Sequence, residues 1–200
     1  INLTSTKNNI YFCKKTMKMK TKFIIAVLVL LGIFTGCKNE KSLDSLEVIK
    51  SEVAVDDSFK VTLGVIVKKD DNLSLFYTED GSIDFKGEPI WQGVKGSESV
   101  QQVVYTLPDG VFPTQFRLDF GMNKEQEDIV LKSVVLEYKG NKREFIGANL
   151  VDFFRADENK CTFNPSTGVI KAVVKDGVRR YPSLYPHEAN LLPEINKLAK

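Results

Sequence analysis

The chemistry open to this chain is set by a few side chains that occur once or in small groups. Trp91 is the only tryptophan and His187 the only histidine. The aromatics Phe76, Tyr77, Phe85, Trp91, Tyr105, Phe112 and Phe116 crowd one stretch of sequence. Aromatic faces supply apolar area, and neighbouring amides, acids and arginines bond hydroxyls, which is the make-up of a site for a sugar ring. Trp91 lies in Glu88-Pro89-Ile90-Trp91-Gln92-Gly93, a segment rich in turn formers, and is the ring expected at the surface. In Thr114 to Phe120, Phe116, Leu118 and Phe120 share one face of a strand, while Gln115, Arg117 and Asp119 share the other. Arg117 and Asp119 are therefore expected to be exposed, as a solvated ion pair or as polar binding groups. The candidate ligand-binding residues are Trp91, Tyr77, Arg117 and Asp119.

Catalytic chemistry finds less support. Serine hydrolysis needs a histidine beside a serine and an acid, but the chain has no Gly-x-Ser-x-Gly, and His187 follows Tyr185-Pro186 in a proline-rich tail. Cys161 would need His187 as its partner to become a nucleophile; a small buried residue is the simpler reading. Glycoside hydrolysis needs two carboxylates across a cleft, and no motif singles out a pair. One histidine cannot build the usual zinc sets. Glu79-Asp80 and Glu125-Gln126-Glu127-Asp128 offer oxygens but lack EF-hand spacing. No phosphate-binding glycine loop is present. No catalytic residue, metal or cofactor is expected.

The elements that must position these residues are strands. Phe59 to Val67 alternates with period two, as does Leu73 to Thr78, and Glu79-Asp80-Gly81-Ser82 follows as a turn. Val100 to Leu107 ends at Pro108-Asp109-Gly110, and Thr114 to Phe120 ends at Gly121. Ile129 to Tyr138 precedes a Lys139-Gly140-Asn141-Lys142 turn into Arg143 to Ile146. With Leu46 to Val55 this makes seven or eight β segments and little helical periodicity before residue 147. Short strands without intervening helices predict an all-β fold, an antiparallel β-sandwich or jelly roll. Asn149 to Arg155 reads as a short helix or strand, Val169 to Val174 as a strand, and Leu191 to Leu198 as a closing helical turn.

The start of the chain has a separate logic. Met19-Lys20-Thr21-Lys22 leads into an apolar block from Phe23 to Phe34, then Thr35-Gly36-Cys37. A basic start, a short apolar core and a small residue describe a secretory signal, and the block is too short for a membrane span. The cysteine directly after Gly36 resembles the lipobox of bacterial lipoproteins, with Phe34 where leucine is usual. The resemblance implies that Cys37 is lipidated, becomes the mature N-terminus and holds the protein on a membrane. Residues 1–16 read as lying upstream of the true start at Met17 or Met19, 17–36 as the signal peptide with its helix, 37–45 as a tether and 46–200 as the β domain. Lys38 after the cysteine points to the outer membrane in a host with two membranes.

Cleavage also changes the charge. The chain carries 28 Lys and Arg against 26 Asp and Glu, but six lysines and no acid precede Cys37. The remaining 22 basic and 26 acidic residues leave a net of −4. The apparent basicity belongs to the signal, so no nucleic-acid partner is expected.

Leu75-Phe76-Tyr77, Tyr105-Thr106-Leu107-Pro108, Phe116-Arg117-Leu118-Asp119-Phe120-Gly121 and Val134-Val135-Leu136-Glu137-Tyr138 together resemble the β-sandwich modules of bacterial cell-surface polysaccharide proteins, which are similar to carbohydrate-binding modules. The resemblance implies a β-sandwich fold more than a ligand, and this chain departs from those proteins in being a small lipoprotein without a catalytic or membrane-spanning domain. With the exported location and the aromatic content, a non-catalytic, lipid-anchored protein of the cell envelope whose ligand is a glycan is expected. The alternative partner is another envelope protein, for which the domain would be a structural or interaction module.

Overall fold

The computed structural model describes residues 57–200. Cys37, the signal segment, the tether and the strand expected at 46–55 lie outside the described residues. The described part is mostly antiparallel β-sheet with two short helices. It holds β1 (Lys60–Ile66), β2 (Asp71–Thr78), β3 (Ile90–Val94), β4 (Gln101–Thr106), β5 (Gln115–Phe120), β6 (Ile129–Tyr138) and β7 (Asn141–Ile146). After these come α1 (Leu150–Phe153), β8 (Phe154–Ala156), β9 (Cys161–Asn164), β10 (Val169–Ala172), a small hairpin of β11 (Val174–Lys175) and β12 (Val178–Arg179), then β13 (Ser183–Pro186) and α2 (Glu188–Asn196).

Two larger sheets form. The first runs β4-β1-β6-β10-β9, with β7 also paired to β6, and the second runs β3-β2-β5-β13-β8. Every pairing is antiparallel. Alternation explains their burial. In β5, Phe116, Leu118 and Phe120 are buried, and Arg117 and Asp119 face the other way. Each such side chain contributes about 1.5–3 kcal/mol when fully buried. Val61, Leu63 and Val65 of β1 and Leu73 and Leu75 of β2 join them in one core fed by both sheets.

β6 keeps a single buried face only because it changes register. Gly64 pairs with Ser133 while Val65 pairs with Leu131, so Lys132 is the extra residue of a β-bulge. Ile129 and Leu131 point to the core before the bulge, and Val134 and Leu136 after it. The odd–even break restores the core face that strict alternation would lose.

The C-terminal part closes the domain. Asn149 to Arg155 satisfies both expectations, a helical turn followed by a strand. α2 buries Leu191 and Ile195. Arg143 on β7 bonds the Glu194 carboxylate, through Nε at 2.8 Å and through a second guanidinium nitrogen. Asn141 Nδ2 donates to the backbone carbonyl of Leu198 at 3.0 Å. No helix among the described residues is long and apolar enough to cross a membrane.

Candidate functional site

The register of the second sheet brings three residues into one row. Ser74 on β2 lies opposite Trp91 on β3 and, on its other side, opposite Asp119 on β5. All three sit on the face away from the core. Neighbouring strands are about 4.8 Å apart, so the row from Trp91 to Asp119 spans about 10 Å. The next row on the same face pairs Phe76 with Arg117. Tyr185 of β13 reaches the same guanidinium.

Arg117 and Asp119 form a bidentate pair, Nε to Oδ1 at 2.9 Å and Nη2 to Oδ2 at 2.8 Å. The third guanidinium nitrogen, Nη1, donates to the Tyr185 hydroxyl at 3.3 Å. The Phe76 ring lies 4.1 Å from the guanidinium carbon, and the Phe85 and Tyr185 rings at 5.5 and 5.4 Å. The expectation of an exposed pair is corrected here: the two side chains are only 14% and 22% exposed. The cause is the loop between β2 and β3, which folds Phe85 back against Tyr185 with ring centroids 5.9 Å apart. Burial alone would lower the arginine's proton affinity, but the Asp119 carboxylate outweighs it and the guanidinium stays charged. The pair is a largely desolvated, internally neutral unit.

Trp91 is on an edge strand rather than in a turn, and it is half exposed at 49%. Beside it lies a depression of about 100 Å³ lined by Phe76, Met122, Tyr181, Ser74 and Asp119. Trp91, Met122 and Tyr181 are among the large apolar side chains most exposed on the described surface. Ser74 is 2% exposed, and its Oγ has no protein partner. Buried hydroxyls are nearly always hydrogen-bonded; among the described residues this one shares the lack of a partner with the Tyr105 hydroxyl, Gln115 Oε1 and Arg179 Nη1, and it lies on the face where the aromatic rim gathers.

Tyr77 does not join the others. Parity puts it with Leu73 and Leu75, and it packs partly buried against the core. Its neighbour Phe76 occupies the site face. Tyr105 and Phe116 are core residues. Phe112 packs against Phe59 and Tyr138, with centroids 5.6 and 5.0 Å apart.

The rim of the depression is fixed from below by Asp71, which sequence reasoning passed over. Its Oδ1 accepts from the backbone N–H groups of Asn72, Met122 and Asn123 at 2.8, 2.7 and 2.9 Å. Its Oδ2 accepts from Gln126 Nε2 at 2.9 Å. Gly121 closes β5 with φ +76°, and a Cβ there would lie 2.5 Å from Asp71 Oδ2. Only glycine fits the contact that swings the chain from β5 into the rim.

Cys161 and His187 carry no visible chemistry. The thiol is buried and donates to the Ser183 carbonyl at 3.3 Å. Burial raises its pKa, so the nucleophilic thiolate is disfavoured. His187 precedes α2, and its backbone N–H donates to the Phe153 carbonyl at 2.8 Å. A wider groove of about 870 Å³ lies along β8 and β9, but its buried polar group is this already bonded thiol. No cluster of three metal-ligating side chains occurs among the described residues. No protein-family model, no curated protein and no solved structure matches the chain.

Proposed function

We propose that this chain is a lipid-anchored, extracytoplasmic binding protein without catalytic activity, and that its ligand is a glycan held on the outer face of the second sheet. The observation that carries the reading is Trp91, a half-exposed ring beside a depression that Asp119 also lines. A flat aromatic surface stacks on the apolar face of a sugar, and polar groups beside it bond the hydroxyls. The neutral Arg117–Asp119 unit holds its carboxylate in one orientation, so little is lost in ordering it when a ligand arrives. The shared core of the two sheets supports their stacking as an antiparallel sandwich, in which the ligand face is the outside of one layer.

Anchoring rests on the lipobox resemblance at Cys37 and supplies the location, the cell envelope, with the outer membrane favoured by Lys38. In cells, Cys37→Ser is expected to stop fatty-acid labelling and to leave an unprocessed precursor; labelling that persists would remove the anchor from the account. For the ligand, the mature domain is run through gels containing immobilised polysaccharides. Retention by at least one of them, lost in Trp91→Ala, is the expected result. A domain that no polysaccharide retards, but that cross-links in cells to another envelope protein, would favour the interaction-module reading instead.

A further inference from the structure

We propose that the depression beside Trp91 takes a ring edge or substituent of an uncharged sugar unit through the Ser74 hydroxyl and the Asp119 carboxylate, and discriminates against acidic glycans; this rests on the glycan reading above. Three observations meet here. Ser74 Oγ is buried at the centre of the Trp91–Ser74–Asp119 row and has no protein partner. A serine hydroxyl both donates and accepts, so one ligand hydroxyl satisfies it. Each Asp119 oxygen receives one bond from Arg117. A carboxylate has about four lone-pair sites, so it can still accept from a second ligand hydroxyl.

The charge is selective. Among the lining residues the one charge is that of Asp119; Arg117 behind it donates one bond from each of its three nitrogens, to Asp119 or Tyr185, with Phe76 covering its face, and Arg179, which interacts with Asp71 and Tyr181, lies outside the lining. None of the residues lining the depression is basic. An incoming carboxylate or sulfate would meet the like charge of Asp119 first. A neutral hydroxyl-rich unit meets acceptors and an aromatic wall. The volume of about 100 Å³ admits one substituent or ring edge rather than a whole oligosaccharide. Ser74 Oγ has no surface open to bulk water, so a ligand reaches it only when a side chain of the rim turns aside. Rotamer changes of an exposed side chain take picoseconds to nanoseconds and are no kinetic obstacle.

Trp91 is the only tryptophan, so its fluorescence reports this site alone. The mature domain is titrated with neutral hexasaccharides of glucose, mannose and galactose, and with the hexasaccharide of galacturonic acid. At least one neutral sugar is expected to shift the emission saturably, with the galacturonate at least about tenfold weaker. Ser74→Ala should weaken the neutral sugar about fivefold, the loss of one hydrogen bond, without lowering the melting temperature of the free domain. Equal or tighter binding of the galacturonate, or unchanged affinity in Ser74→Ala, would overturn the inference while leaving glycan binding intact. A domain that binds neither these sugars nor any immobilised polysaccharide would remove both.

Discussion

Asp71 is the residue whose removal should be felt furthest from its own position. It is buried, and its carboxylate accepts four hydrogen bonds, three of them from backbone or side chain in the segment after β5. A hydrogen bond to a charged group contributes roughly 1.5–3 kcal/mol. The bond to Asn72 is local, and the Asn123 N–H can turn to water. Those to Met122 and Gln126 span the fold, which leaves a cost of about 3–6 kcal/mol for Asp71→Ala. That is a large share of the ~5–15 kcal/mol that holds a domain together. Asp71→Asn keeps the shape but turns an amide toward Gln126 Nε2, donor against donor. Gln126 cannot simply flip, because its Oε1 already accepts from Lys69 and Glu127 at 3.2 Å each. A cost of about 2 kcal/mol follows for the asparagine variant. Urea unfolding followed by Trp91 emission and by circular dichroism measures both, with an unchanged denaturant slope expected. Asp71→Ala costing less than about 1 kcal/mol would refute this account of how the rim is held.

Two further outcomes follow from other parts of the fold. A Cβ on Gly168, at φ +77°, would sit 2.2 Å from the Leu131 carbonyl, whereas one on Gly81, at φ +81°, meets nothing within 4 Å. Gly81→Ala should therefore cost about 1 kcal/mol of backbone strain and Gly168→Ala at least about 3 kcal/mol, read as a difference in thermal midpoint; equal effects would contradict the packing described for the β9–β10 turn. Burial alone would raise the Glu194 carboxyl, but bonds from Lys197 and Arg143 outweigh it and hold its pKa below the ordinary glutamate value of 4.5. A carboxyl with a lower pKa folded than unfolded binds fewer protons when folded, so its stabilisation is complete above that value and is lost as pH falls through the folded pKa. Its cationic partners are 40% and 49% exposed, so the contribution is about 1 kcal/mol. Glu194→Gln should flatten the acid limb of the stability curve, and a limb of unchanged steepness would show that other carboxylates set it.

Much of the second sheet was legible in the sequence because β5 alternates without interruption. Phe116, Leu118 and Phe120 had to face one way, and Arg117 and Asp119 the other. The same parity applied to β2 would have placed Phe76, not Tyr77, beside Arg117, since Leu73 and Leu75 fix the core face. The bulge at Lys132 was hidden because apolar residues occupy both parities of β6, so no break in pattern marks it. β3 was hidden for the opposite reason. It is a five-residue edge strand preceded by Pro89 and containing Gly93, and its one protected neighbour is β2. β13 lies within Tyr181-Pro182-Ser183-Leu184-Tyr185-Pro186, where the prolines read as a tail. Trp91, Arg117 and Asp119 could be chosen by residue type. Ser74 could not, because a serine in a strand becomes informative only when the pairing register shows what stands on either side of it.

The claim at the centre of this account is that a glycan is bound on the outer face of the second sheet, and chemical-shift mapping tests it most directly. The isotope-labelled mature domain is titrated with whichever polysaccharide fragment retards it most, or with the neutral hexasaccharides if none does. The account predicts that the single indole N–H signal of Trp91 and the backbone amides of Ser74, Asp119 and Met122 shift together, while those of Cys161 and Phe163 on β9 stay in place. Shifts centred on the β8–β9 groove, or a spectrum unchanged by every glycan, would contradict it.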